Sequence, residues 1–148
     1  MIVMKVEPGK SIGNLSIGMS KLNVEKLTKK SSPIYFRVDY DSNDQVQYIQ
    51  LASGIKDLYI CEYRNIDLFN TKVKDLVTIL DKISPYDRND SELGYSYVFS
   101  EIGLSLWRPR NITEEDFEEE WFKEMSLENQ EDERKYLFFE SLGVFQVL

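Results

Sequence analysis

Two kinds of apolar spacing alternate along this chain, and together they leave few folds open. Val73, Leu76, Val77, Leu80 and Ile83 fall three or four residues apart, as on a helix with one buried face, and Pro85 ends the run. Tyr95, Tyr97 and Phe99 then alternate, as do Ile102, Leu104 and Leu106 after a turn, which is the spacing of strands with one face covered. Neither pattern can be exchanged for the other without turning apolar side chains into water, so helices and antiparallel strands must share one fold.

An earlier stretch follows the same order. In "IGNLSIGMSKLNVEKLTKK" an extended piece at Leu15 and Ile17 meets Gly18, and Ser20 is an N-cap residue. Met19 and Val24 stand as a hydrophobic staple and Leu27 continues the apolar side, which predicts a helix over 20–30. "IYFRVDY" and "QVQYIQLA", joined by "DSND", predict a hairpin to which "DLYICEY" adds a third strand. Asn70 and Thr71 are alternative caps for the second helix, and Gly13 and Gly18 permit turns.

The organisation of 12–63 thus recurs in 66–108. It reads either as a duplication or as a coincidence of pattern, because "LSIGMS" and "IDLFNT" match only in residue type. "ERKYLFFESLGVFQVL" predicts a last strand beside the second hairpin. The expected fold is α+β: two helix-plus-antiparallel-meander units sharing or pairing sheets in a single domain over 1–148, with an acidic helical insertion at 111–134 before the last strand.

At 148 residues and 42 % hydrophobic content the chain can bury a real core. A net charge of -8 and a pI near 4.7 argue against nucleic acid or an anionic membrane as partner and point to a basic one. Cys61, the single cysteine, lies in the apolar run "LYICEY", reads as a small core hydrophobe and suits a reducing compartment. The apolar patch in "MIVMKVEPGK" is too short for a signal sequence, so a cytoplasmic location is expected.

Much familiar chemistry is excluded or weakened. Without histidine there is no Ser-His-Asp or Cys-His catalysis and no imidazole metal site. Carboxylate-pair catalysis needs two acids in one cleft with divergent environments, which abundance alone does not supply. "DYDSNDQVQYIQ" sets Asp39, Asp41 and Asn43 as in a calcium loop, yet Asp44 replaces the required glycine and Gln50 the bidentate glutamate. "SIGNLSIG" lacks the lysine of a phosphate loop and the spacing of a dinucleotide site. No cofactor and no metal are expected.

The acid is concentrated in one place. Residues 111–134 hold eleven carboxylates against Lys123 and Arg134, while 15 acids face 16 bases elsewhere. Thr113 is a natural N-cap, and Glu114, Glu115 and Asp116 fill a first turn where the helix dipole favours them. Glu118, Glu119, Glu120 and Glu124 lie beyond that turn and make like-charge neighbours in a continuous helix, Asp116 with Glu120 and Glu120 with Glu124. Phe117, Trp121 and Met125, four residues apart, form the expected core-facing stripe, bordered by Phe122. The segment reads either as a solvated amphipathic helix or as a negative docking face.

The residues also carry two resemblances. "VEPGKSIGNLSIGMSKLNVEKL" with "IYFRVDYDSNDQVQYIQL" resembles the helix-then-strands unit of the outer-membrane assembly lipoprotein E family and of β-lactamase inhibitor proteins. The acylated cysteine of the lipoproteins has no counterpart here, so a membrane anchor is not carried over. The second half, through "WFKEMSLENQEDERKYLFFESLGVF", resembles small cytoplasmic immunity proteins of Firmicutes made beside secreted LXG-type polymorphic toxins, many of them nucleases. That resemblance implies an antitoxin that binds a basic cognate toxin, expected to be a nuclease, without turnover. Glu114, Glu115, Asp116, Glu118, Glu119, Glu120 and Glu124 then form the docking face. Phe122, Tyr86 in "SPYDRND" and Trp107 in "SLWRPR" are candidate anchors, Trp107 reading also as a strand-core residue. The alternative is a general interaction or scaffold module whose apolar patches make the contact.

Overall fold

The structure is a computed structural model that describes residues 1–28 and 36–148. It is an α+β fold of two five-stranded sheets around one core. The first sheet joins β1 (Ile2–Glu7), β2 (Ser11–Ile12), β3 (Leu15–Ser16), β6 (Tyr59–Tyr63) and β7 (Ile66–Asp67) in the order β3-β2-β1-β6-β7. The second joins β4 (Phe36–Tyr40), β5 (Val46–Ala52), β8 (Ser96–Phe99), β9 (Leu104–Trp107) and β10 (Ser141–Phe145) in the order β4-β5-β10-β9-β8. The helices are α1 (Lys21–Thr28), α2 (Val73–Ile83), α3 (Glu120–Lys123) and α4 (Leu127–Arg134).

The repeated element order is visible in three dimensions. Each hairpin–helix–hairpin run starts with a two-residue turn, Gly13-Asn14 between β2 and β3 or Arg64-Asn65 between β6 and β7, and ends in one hairpin of the second sheet. Arg64 and Asn65 take φ of 52° and 64°, the paired positive values that suit a tight hairpin on twisted strands. Strand β10 lies between the hairpins, with Leu142 opposite Leu51 on one side and Leu106 on the other. It therefore seals both units, not only the second.

Two expected placements are corrected. "DLYICEY" does not extend the first hairpin: β6 runs parallel to β1, with Met4 opposite Cys61, because β10 takes the free edge of β5. Met4 and Val6, both buried, alternate with exposed neighbours along β1, the period of a strand with one covered face. The caps also differ. Asn70 Nδ2 donates to the Asp67 carboxylate at 3.0 Å and Thr71 Oγ1 to the Asp67 carbonyl at 2.6 Å, so both serve the preceding turn. Lys72 occupies the N-cap of α2 and supplies no side-chain cap.

The first helix behaves as expected at its start, with Ser20 Oγ accepting from the Asn23 N–H at 3.2 Å and Val24 buried, although Leu27 is exposed. Residues 29, 30, 34 and 35, expected to end this helix and begin the next strand, lie outside the described residues. "DSND" is the hairpin turn, in which Asp41 Oδ1 accepts from the Asn43 and Gln45 N–H groups. Tyr97 and Phe99 face the core with Leu104 and Leu106 opposite them, while Ser96, Ser105 and Trp107 lie on the other face of the sheet with Ser141, itself buried. Among the described residues no helix is long and apolar enough to cross a membrane.

Candidate protein-docking face

The acidic insertion leaves the second sheet at the end of β9 and returns at β10, adjacent strands, so its two ends lie side by side. Arg108 ties them together. Its Nη1 donates to the carbonyls of Ile112 (2.9 Å) and Tyr136 (2.7 Å), Nε to that of Gly94 (2.8 Å), and Nη2 to Asn111 Oδ1 (3.2 Å). The residue is 4 % exposed, and burial pulls its pKa below the ordinary guanidinium value.

The insertion is not one helix. Thr113 begins a short 3₁₀ turn over Glu114–Glu118, with its N–H donating to Asp116 Oδ2 at 2.8 Å, but Glu119 is extended (φ -77°, ψ 149°) before α3 begins. Ser126 caps α4 by accepting from the Asn129 N–H at 3.2 Å, and Gln130 Nε2 closes the loop onto the Phe122 and Met125 carbonyls, each at 3.2 Å. The extended residue resets the helical phase, so Phe117, Trp121 and Met125 do not form a stripe. It also removes the Asp116–Glu120 neighbour pair that a continuous helix would have imposed.

The aromatic roles are consequently exchanged. Phe122, expected as an anchor, is 3 % exposed, with the Phe117 ring at 4.5 Å, the Trp121 ring edge-on at 6.0 Å and the Arg134 guanidinium at 5.2 Å. Trp121, expected in the core, is 41 % exposed. Adjacent residues lie about 100° apart on a helix, so a phase that centres Phe122 on the buried side turns Trp121 to its edge. A phase set by Phe122 rather than by Phe117 is the sequence signal that would have found Trp121.

The carboxylates divide into two groups. Glu114 pairs with Lys72 (3.0 Å), Glu118 with Lys123 (3.8 Å), Asp132 with Lys135 (2.9 Å) and Glu133 with Arg110 (2.9 Å), while Asp116 serves the Thr113 turn. Glu115, Glu119, Glu120, Glu124, Glu128 and Glu131 are exposed and have no ion pair among the described residues. They surround Trp121 in sequence and are free to meet a cation.

The other two candidates part company. Tyr86 is a structural plug, edge-on to Tyr97 (5.2 Å) and Phe99 (6.1 Å) under the Arg88 guanidinium at 3.9 Å. Arg88 in turn forks onto Asp81 at 2.8 and 2.7 Å, holding that carboxyl below the usual carboxylate range. Trp107 is not in the core: it stands on the outward face of β9, 43 % exposed, beside the row of Ser96, Ser141 and Ala52. Nearby, Gly143 leaves room for Tyr48, whose hydroxyl would lie 2.6 Å from a Cβ there and donates to Gln50 Oε1 at 2.8 Å.

Comparison with known proteins gives no relative: no family model matches the chain, nor does any curated protein or solved structure.

Proposed function

We propose that this chain is an immunity-type inhibitor that neutralises a cognate basic toxin, a nuclease, by direct stoichiometric binding in the cytoplasm, without turnover or cofactor. The observation that carries the reading is the set of six exposed carboxylates without an ion pair among the described residues, on a lobe held by its own aromatic centre and by Arg108. A nuclease must gather phosphate with cationic side chains, and an anionic lobe competes for them while steering association. Trp121, edge-on to the buried Phe122 at 6.0 Å, supplies the apolar contact that charge alone does not.

A second reading is favoured by Trp107. Its exposed ring among small outward side chains offers a sheet face on which a scaffold module could make contact without the acids.

Capture of partners from the native cytoplasm at low and at high salt, followed by a nuclease assay of what is retained, tests the choice. A basic nuclease released by salt and silenced at one inhibitor per toxin is the expected result. A salt-insensitive partner lost on Trp107→Ala would replace it with the scaffold reading.

A further inference from the structure

We propose that the cleft between the start of α2 and the root of the acidic lobe binds a compact oxyanion, the phosphate or carboxylate group of a small ligand. The cleft encloses about 590 Å³ and is lined by Lys72, Lys74, Tyr97, Arg108, Asn111 and Thr113, among others.

Arg108 is the reason to expect an anion there. A buried charge is normally met by an opposite charge, yet no carboxylate pairs with this guanidinium among the described residues. Its four acceptors are all neutral: three main-chain carbonyls and one amide oxygen. Guanidinium carries five N–H donors, so one on Nη2 has no acceptor among the described residues, and the residue lines the cleft.

Two further features converge on the same space. Asn70 and Thr71 are spent on Asp67, so no side chain caps α2, and Val73 and Lys74 of its first turn line the cleft. Uncapped N–H groups at the start of an eleven-residue helix favour an anion. Lys72 stands at the mouth, where the Glu114 carboxylate holds its ammonium at 3.0 Å. Glu114 and Glu115 are the acids that oppose an incoming anion, and Glu114 competes with it for Lys72.

The test is a titration of the ¹⁵N-labelled chain with inorganic phosphate at constant ionic strength, and separately with sodium acetate. Saturable shifts of the Val73 and Lys74 amides and of the Arg108 Nε–H are expected. Whichever anion saturates first assigns the group as phosphate or carboxylate. Lys72→Met should weaken binding about tenfold by removing a charge-assisted contact, and Glu114→Gln should tighten it by removing the competitor. Both substitutions are at the mouth and leave the Arg108 clamp intact. Shifts that stay linear with both anions, or that scatter over surface lysines with equal response in Lys72→Met, would overturn the site and leave Arg108 as a clamp alone.

Discussion

Arg108 is a buried cation held by neutral acceptors from three separate stretches of the chain. Its bonds join the turn before β8 to both ends of the acidic lobe. Arg108→Met keeps the stem but orphans buried acceptors, so urea denaturation should show a loss of about 3 kcal/mol. A loss within 0.5 kcal/mol, on the order expected of a surface change, would show that water replaces the guanidinium. Cys61 makes the second prediction at this scale. Burial pushes its thiol up to about 12, above an unfolded value of roughly 8.5. The folded chain keeps the proton while the unfolded chain sheds it, so the contribution is complete below the unfolded value and falls as pH rises toward 12. Stability measured across that range should decline more in the native chain than in Cys61→Ala, and a disulfide reagent should label Cys61 only as fast as the chain opens.

At the scale of elements, the acidic lobe is a small folded unit with one buried ring. Phe122→Ala should cost about 3–5 kcal/mol, as loss of a core aromatic does, whereas Trp121→Ala should change stability by less than about 0.5 kcal/mol and weaken partner binding. The reverse order would restore the continuous helix with Trp121 inward. How far such assignments could be read from the sequence varies with the physics behind them. The helix at 73–83 and the hairpin strands around Tyr97 and Leu106 were legible because one face of each is buried and the period follows. The break at Glu119 was not, because helix propensity and N-terminal acids both favoured continuity, and only packing of Phe122 under Arg134 decides the phase. Asn70 and Thr71 were sound cap residues by type, but Asp67, three and four residues earlier, offered them a competing turn.

Over the whole molecule, long-range pairing was the least legible layer. Nothing local distinguishes a third strand of the first hairpin from a parallel partner for β1, since Tyr59–Tyr63 serves either; the choice depends on β10 returning from nearly ninety residues away to occupy β5. The charge distribution, by contrast, was fully present in the sequence and needed the structure only to divide paired from unpaired acids. Lys72, Lys123 and Lys135 neutralise part of the lobe at exposed positions where each pair contributes little to stability, and Arg110 meets the largely buried Glu133. The remaining six carboxylates are what a cationic partner would find.

The most direct test of that claim compares the native chain with a triple variant, Glu119→Lys, Glu120→Lys and Glu124→Lys, against the captured partner at about 0.05 M and 0.5 M salt. The native chain should bind tightly at low salt and much more weakly at high salt, and the folded triple variant should lose about 100-fold at low salt. Equal affinity of the two proteins at both salt concentrations would contradict it and leave the acidic lobe as a solvated surface.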